Sequence, residues 1–469
     1  MNSTTSRHLA LLSLGVACLI VTAIAIALNG DYNSDALYPY SQAMDLLQFG
    51  TLDGWRFSAA PFVVPDVLLA LPIAAATGDP QAFYLAAAPI QLLPFLLLIA
   101  LYLRRTAQVR FGDGFVAGVA ATAALALAGI ALLPPEFFCT VDASFVLVHH
   151  GTAALGAIAL YLYAHDDCFA LLRRHWALSF AALVLLTLSD FYFSLYFGAL
   201  LLVSARPRQW RPWLGIAVPF GLISILMFVI SYLVNGSLRE QVRGSLPSGA
   251  ETYHAMRHAW SLLLVPAIPL AWLAHRRKLP ATLACLYAAL LVTLLLVGGA
   301  GLIKDVGGFR YVVIAYAVSI LAYTYALLQM SGTTRVLVML LASVGLVGYC
   351  GIRLQAPLLD DYRQETACLN AVAPPGSTIM AEYWPAKMVF ESSHRRYNLW
   401  QVNESLHKRR WISNRRWRDI HPDNGITVVM THHLAAQTLQ QLQALPSART
   451  VCGGRAVVVP RSAPSLLQR

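Results

Sequence analysis

Apolar runs of about 17 to 25 residues recur along most of this chain, at 9–28, 81–103, 114–133, 143–164, 212–234, 258–274, 280–301, 309–330 and 335–352. No other feature limits the fold as strongly. A helix rises about 1.5 Å per residue, so each run is long enough to cross the hydrocarbon core of a bilayer. Backbone polar groups in lipid must be paired internally, and a helix does this within one segment. The stretch 176–204 is longer and is broken by Ser189-Asp190. It reads as two short spans meeting at an outer-side polar turn, with one long tilted helix as the alternative. Segment 61–77, interrupted by Pro65, Asp66 and Pro72, is expected not to cross as a simple span.

Composition agrees with lipid as the main solvent. Charged residues are 12% and hydrophobic ones 58%, against about 25% charged in an ordinary soluble domain. Disorder and a small secreted fold are thereby excluded. The chain carries 34 basic and 23 acidic residues, a net +11; in so apolar a chain this excess signals topology and anionic membrane lipids before nucleic acid. Arg7, Arg104, Arg105, Arg110, Arg173, Arg174, Arg206, Arg208, Arg211, Arg276, Arg277, Lys278 and Arg335 fall in alternate connections, which are read as cytoplasmic. About eleven spans, between ten and twelve, satisfy this pattern. Residues 30–60, 134–142, 235–257, 301–308 and everything after about 354 are then outside. The first run also resembles a signal peptide with Ala23-Ile24-Ala25 as its cleavage site, but its length suits a retained span. Few lysines, many arginines and abundant alanine hint at a GC-rich bacterium.

The expected architecture is a polytopic α-helical membrane protein, with residues 1–354 as the membrane unit and 30–60 as its first external loop. Within that loop, 34–49 places Tyr40, Met44 and Leu47 on one stripe beside Ser41, Asp45 and Gln48, the pattern of a helix lying in the interface and ended by Gly50. From residue 355 the chain turns polar and aromatic, which predicts a soluble extracytoplasmic α/β domain over 355–469. Its expected elements are a helix at 360–372, strands at 377–384 and 425–431, a helix at 433–444, and paired strands at 449–452 and 455–459. The seven cysteines show no metal spacing. Cys18, Cys285 and Cys350 lie in apolar runs. Cys368 and Cys452 could form a bridge if their elements pack together, though two separately buried thiols is the favoured expectation.

Asp31 and Asp35, in GDYNSDALYPYSQAM, follow the first span directly. A carboxylate at that depth can take a proton from an attacking hydroxyl or bind a divalent cation beside a leaving phosphate. The competing role is capping of the interfacial helix by Ser34 or Asp35. At this point the sequence resembles the GT-C superfamily of integral membrane glycosyltransferases. Many bacterial members show an acidic pair, an Ala and a Tyr after the first span. Here SDALY at 34–38 matches, with Ser34 where one acid is common. The resemblance implies Asp35 as catalytic acid, Asp31 as second carboxylate, and a polyprenyl-phosphate-linked sugar as donor.

Other polar residues are candidates for substrate binding. His149 and His150 lie about two turns inside a span, where ionisable groups tend to face a cavity, although a satisfied core histidine is equally expected. Asp190 either lines that cavity or caps a helix. Arg310-Tyr311, after KDVGGF, can set a guanidinium fork over a phosphate with Lys304 assisting; the alternative is an arginine that snorkels to the interface. Arg239 and Arg243 break the positive-inside tendency and could meet lipid phosphate. AEYWPAKMV at 381–389 offers an exposed-looking Tyr383, Trp384 and Lys387 as a sugar-binding lip, with a packed tryptophan the commoner outcome. HKRRWISNRRWRD at 407–419 is either a contact for anionic headgroups or an acidic acceptor, or a solvated basic helix.

These readings converge on an inverting hexosyl- or pentosyltransferase. It would act on a glycan, lipid or protein acceptor at the outer face of the bacterial cytoplasmic membrane. No nucleotide-binding motif is present, which fits a lipid donor. A transporter or flippase of lipid-linked or anionic substrates is the alternative from another class; it would favour an internal repeat and charges at the bilayer midplane, and no repeat is evident.

Overall fold

A computed structural model describes residues 3–29, 35, 37–58, 60–132, 151–164, 174–204, 210–234, 263–299, 312–355, 360–408 and 413–460. Thirteen helices among these residues precede the C-terminal unit: α1 Ser3–Asn29, α2 Tyr38–Phe49, α3 Leu68–Thr77, α4 Pro80–Thr106, α5 Phe111–Leu132, α6 Gly151–Ala164, α7 Trp176–Ser189, α8 Phe191–Val203, α9 Trp210–Val234, α10 Leu263–His275, α11 Ala281–Gly299, α12 Ile314–Leu328 and α13 Gly332–Gln355. Five of the described helices, α1, α4, α5, α11 and α13, are long and apolar enough to cross a membrane. Helix α5 packs against α1, α4, α12 and α13. Its buried positions include Gly114, Ala117, Gly118, Ala120 and Ala121, small residues that let neighbouring backbones approach closely where lipid supplies no hydrophobic drive.

The break at Ser189-Asp190 is present. Helix α7 ends at Ser189, Asp190 is extended (φ −149°, ψ 112°), and its carboxylate accepts the Tyr192 amide at 2.9 Å to cap α8. One long tilted helix is therefore ruled out. The break is also where segment 61–77 docks: the amides of Phe62 and Val64 donate to the Ser189 carbonyl and Oγ, each at 2.9 Å. That segment is a π-helical turn, Val63–Val67, followed by α3 with Pro72 inside it. The ten residues of α3 rise about 15 Å, half of a hydrocarbon core.

The C-terminal unit holds α14 Asp360–Val372, α15 Tyr383–Ser392 and α16 Ala436–Gln443 around a five-stranded sheet. Numbering the strands in chain order from β1 Trp55–Arg56 of the first loop, the others are β2 Thr378–Ala381, β3 Asn398–Gln401, β4 Ser413–Asn414, β5 Ile426–Met430, β6 Arg449–Val451 and β7 Ala456–Pro460. The sheet order is β3-β2-β5-β7-β6, parallel on the β3 side and antiparallel from β5 onward. Side chains alternate across it with period two. Ile379, Ala381, Val428, Met430, Ala456 and Val458 join the core that runs into the helices, while Met380, Val429, Val457 and Val459 form a second core with Leu442 of α16.

Two sequence expectations change here. Residues 377–384 are not one strand: β2 stops at Ala381, and Glu382 caps α15 by accepting the Trp384 amide at 3.2 Å, with Pro385 in the first turn, where a missing N–H costs nothing. Cys368 of α14 and Cys452 are bridged, with α-carbons 5.7 Å apart, so the expectation of two separate thiols fails. Packing of α14 against the 452–454 turn closes that gap.

Candidate active site

The first loop and the C-terminal unit share a boundary made by both ends of the chain. Strand β1 pairs antiparallel with β4, Trp55 opposite Asn414 and Arg56 opposite Ser413. Gly54 (φ 86°) permits this approach: a Cβ there would lie 2.8 Å from Asn414 Oδ1, the oxygen that caps the 3-10 turn Arg415–Asp419 by accepting the Arg416 amide at 2.9 Å.

Helix α2 fixes the chemistry on the loop side. It begins at Tyr38 with Pro39 in its first turn and ends at Gly50 in the left-handed conformation (φ 69°), as the sequence indicated for that end. The two stripes do not divide into a buried and an exposed face. Tyr40 is buried and Leu47 is 47% exposed, while Ser41 and Asp45 are fully buried and Gln48 is exposed, because part of the polar stripe meets the C-terminal unit. Asp45 accepts from Trp55 Nε1 at 2.7 Å, Asn414 Nδ2 at 2.6 Å, Trp417 Nε1 at 3.0 Å and Arg395 at 2.5 Å. Arg395 in turn uses all five N–H donors of its guanidinium, on Asp45, Glu391 (2.8 and 2.9 Å), Gln48 (3.1 Å) and the Ser41 carbonyl (3.0 Å). The chain leaves α15 through two left-handed residues, His394 (φ 51°) and Arg395 (φ 58°), a conformation uncommon outside glycine. This reversal brings the guanidinium back beside Glu391. Burial works against the Arg395 charge, but Glu391 and Asp45 hold its pKa above the ordinary value.

Asp35 sits at the margin of this interface. Its side chain does not cap α2; only its carbonyl accepts the Tyr38 amide, at 3.0 Å, and Leu37 is the N-cap. The carboxylate instead accepts the Tyr383 hydroxyl across 348 residues of sequence, while Asp35 keeps partial exposure. One turn along α15, Lys387 is fully buried, with Nζ 5.0 Å from the Tyr38 ring centre and 5.2 Å from that of Tyr383. Desolvation pushes the Lys387 pKa down to about 8, against the opposing pull of Asp35, Glu391 and Asp45.

Of the sequence candidates, the structure thus brings together Asp35 and Lys387, and adds Tyr383 as their link. Lys387 and Tyr383 are buried, not exposed as the sequence led us to expect, because 383–392 is a helix packed against α14, β2 and β3, with Lys387 over the Tyr38 ring, rather than a strand end. Trp384 is 39% exposed and stands edge-on to Tyr383, 5.0 Å between centres, so the packed-tryptophan alternative fails at that residue. Trp417 is the tryptophan that is buried, at 1%. Where it is described, the basic stretch is not an α-helix but strand β4 followed by the 3-10 turn Arg415–Asp419; Lys408 and Arg418 lie over the Trp400 ring, and Arg416 over Phe49.

Asp190 belongs to a different cluster. Its charge acts on Asp66, whose Oδ1 accepts the Thr152 hydroxyl at 2.5 Å and Gln91 Nε2 at 3.5 Å. The sequence reading passed over Asp66 as a mere interruption; an acid inside an apolar segment, beside two prolines, was the available signal. Asp31, His149, His150, Arg239, Arg243, Arg310 and Tyr311 lie outside the described residues. Among the described residues, no three His, Cys, Asp or Glu side chains gather as a metal ion would require. Beside Asp35 the described charge is the Lys387 ammonium, a poor neighbour for a cation.

Over nearly its whole length the chain shares its fold with ArnT, a structure of the GT-C class. The crystal structure of ArnT from Cupriavidus metallidurans in the apo state is similar over 99% of this chain and 100% of that one, with a TM-score of 0.58 and 14% sequence identity. No family profile and no curated protein sequence matches the chain.

Proposed function

We propose that the protein is a membrane glycosyltransferase that moves a sugar from a polyprenyl-phosphate donor to an acceptor hydroxyl or amine at the outer face of the bacterial cytoplasmic membrane. The observation that carries this reading is Asp35, a partly exposed carboxylate just beyond the first apolar helix, held by Tyr383 in a chain of GT-C fold. In a single displacement the acceptor oxygen or nitrogen attacks the anomeric carbon and the bond from that carbon to the phosphate oxygen breaks. Asp35 takes the acceptor proton, polyprenyl phosphate leaves with the electron pair, and the anomeric configuration inverts. Arg310, with Tyr311 and Lys304, is proposed to bind the departing phosphate through its planar fork. Asp31 is proposed as a supporting carboxylate. His149, His150, Asp190, Arg239, Arg243 and Trp384 remain proposed substrate contacts.

The test is transfer from a panel of radiolabelled polyprenyl-phosphate hexoses and pentoses to lipid, glycan and protein acceptors, using purified protein in proteoliposomes. Product formation that does not need a sealed compartment supports a transferase. Vectorial movement of intact label with no new glycosidic bond would support the transporter reading instead. Arg310→Lys should weaken donor use despite keeping the charge, because the fork is lost.

A further inference from the structure

Tyr383 and Lys387 stand four residues apart on α15, so their side chains share one helix face. That face meets residues from the beginning of the chain. The Tyr383 hydroxyl donates to Asp35 Oδ1, and the Lys387 ammonium lies within cation–π distance of both Tyr38 and Tyr383. Among the described residues, the charged and titratable groups acting on Lys387 include Asp35 from the loop, Tyr38 and Asp45 from α2, and Tyr383 and Glu391 from its own helix. Asp45 and Glu391 pair with Arg395. Of the three carboxylates, Asp35 acts most strongly on Lys387. A fully buried lysine is costly, and a methionine or leucine would fill similar volume without a charge to desolvate. Such a group beside a partly exposed acid is a recurrent feature of functional sites.

We infer that Tyr383 and Lys387 are positioning residues for Asp35, so that the reacting carboxylate comes from the start of the chain and the groups that orient and charge it come from the C-terminal unit. The hydroxyl donates to Asp35 Oδ1 and so holds the orientation of the carboxylate. A hydrogen bond to the charged form and a nearby cation both favour the ionised acid. That Asp35 is the base rests on the function proposed above; that Tyr383 and Lys387 control its ionisation does not.

Two measurements separate these statements. In the first, full-length protein in proteoliposomes is treated with a diazo ester, which esterifies protonated carboxyls. Labelling of Asp35 is followed by mass spectrometry across pH, with exposed Asp53 as internal reference. Tyr383→Phe and Lys387→Met each remove a group favouring the anion, so the half-labelling pH of Asp35 should rise by about one unit or more, and Lys387→Arg should restore it. An unchanged Asp35 profile in both variants, with the Cys368–Cys452 bridge intact, overturns the inference. In the second, kcat should fall about tenfold or more in Tyr383→Phe with little change in KM. A shifted labelling profile with an active Asp35→Asn protein would keep the tuning and defeat the proposed base; an inactive Asp35→Asn with unshifted profiles would do the reverse.

Discussion

Two acid–base pairings join the first loop to the C-terminal unit, and they are built differently. Asp45 and Arg395 are closed off: the carboxylate takes hydrogen bonds from Arg395, Trp55, Asn414 and Trp417, and every guanidinium donor is used. Asp35 and Lys387 meet differently. Their carboxylate is partly exposed, and its lysine rests on aromatic rings with a pKa lowered to about 8 by burial. Full burial and saturation make a pair structural. A partly exposed acid held by a hydroxyl, near a desolvated cation, is placed where a substrate can reach it.

The sharpest way to break this contrast is to remove each acid in turn. Asp35→Asn should fold and keep its disulfide but lose transfer by about 10²- to 10⁴-fold, the usual worth of one acid–base group, measured by product formation in proteoliposomes. Arg395→Met should act on stability instead. It strands two buried carboxylates, which costs about 3 to 5 kcal/mol, seen as a lower denaturant or thermal midpoint. A stable but inactive Arg395→Met protein would erase the distinction between the two pairs.

The bridge extends the comparison to the far side of the sheet. Cys368→Ser opens a crosslink between residues 84 apart; chain-entropy arguments put its contribution at about 4 to 5 kcal/mol, and measured losses run from about 2 to 5 kcal/mol. Chemical unfolding of oxidised against reduced protein checks this.

A pH experiment isolates Lys387. Its folded pKa, about 8, lies below the ordinary 10.5. Below pH 8 both folded and unfolded chains hold the proton, and burial of the charge is destabilising in full. Between about 8 and 10.5 the unfolded chain binds the proton that the native state has released, so stability rises with pH. The gain is roughly 3 kcal/mol at most. Stability–pH curves of wild type and Lys387→Met should diverge in that window alone. The smallest effect belongs to Asp53, 3.5 Å from Arg416 with its side chain 71% exposed. Asp53→Asn should change stability by less than about 0.5 kcal/mol, and a larger loss would mean the loop is held by its rim rather than by Asp45.

The sequence determined the features that depend on local chemistry. Apolar run length identified the long helices, and the polar pair at 189–190 located the break between α7 and α8. Gly50 marked the end of α2, and valine-rich runs marked β5 and β7. Position after the first span marked Asp31 and Asp35 together, and the resemblance to the GT-C superfamily favoured Asp35. Tertiary structure decided everything that depends on which distant faces meet. Helical spacing alone put Asp45 on a polar stripe beside the apolar stripe of α2 but could not say that Asp45 would be buried, because the guanidinium that satisfies it arrives from 350 residues away. For the same reason Lys387 read as an exposed lip and Cys368 and Cys452 as separate thiols. A buried charge or a bridge is permitted only by its partner, and the partner is supplied by packing, which no local pattern encodes.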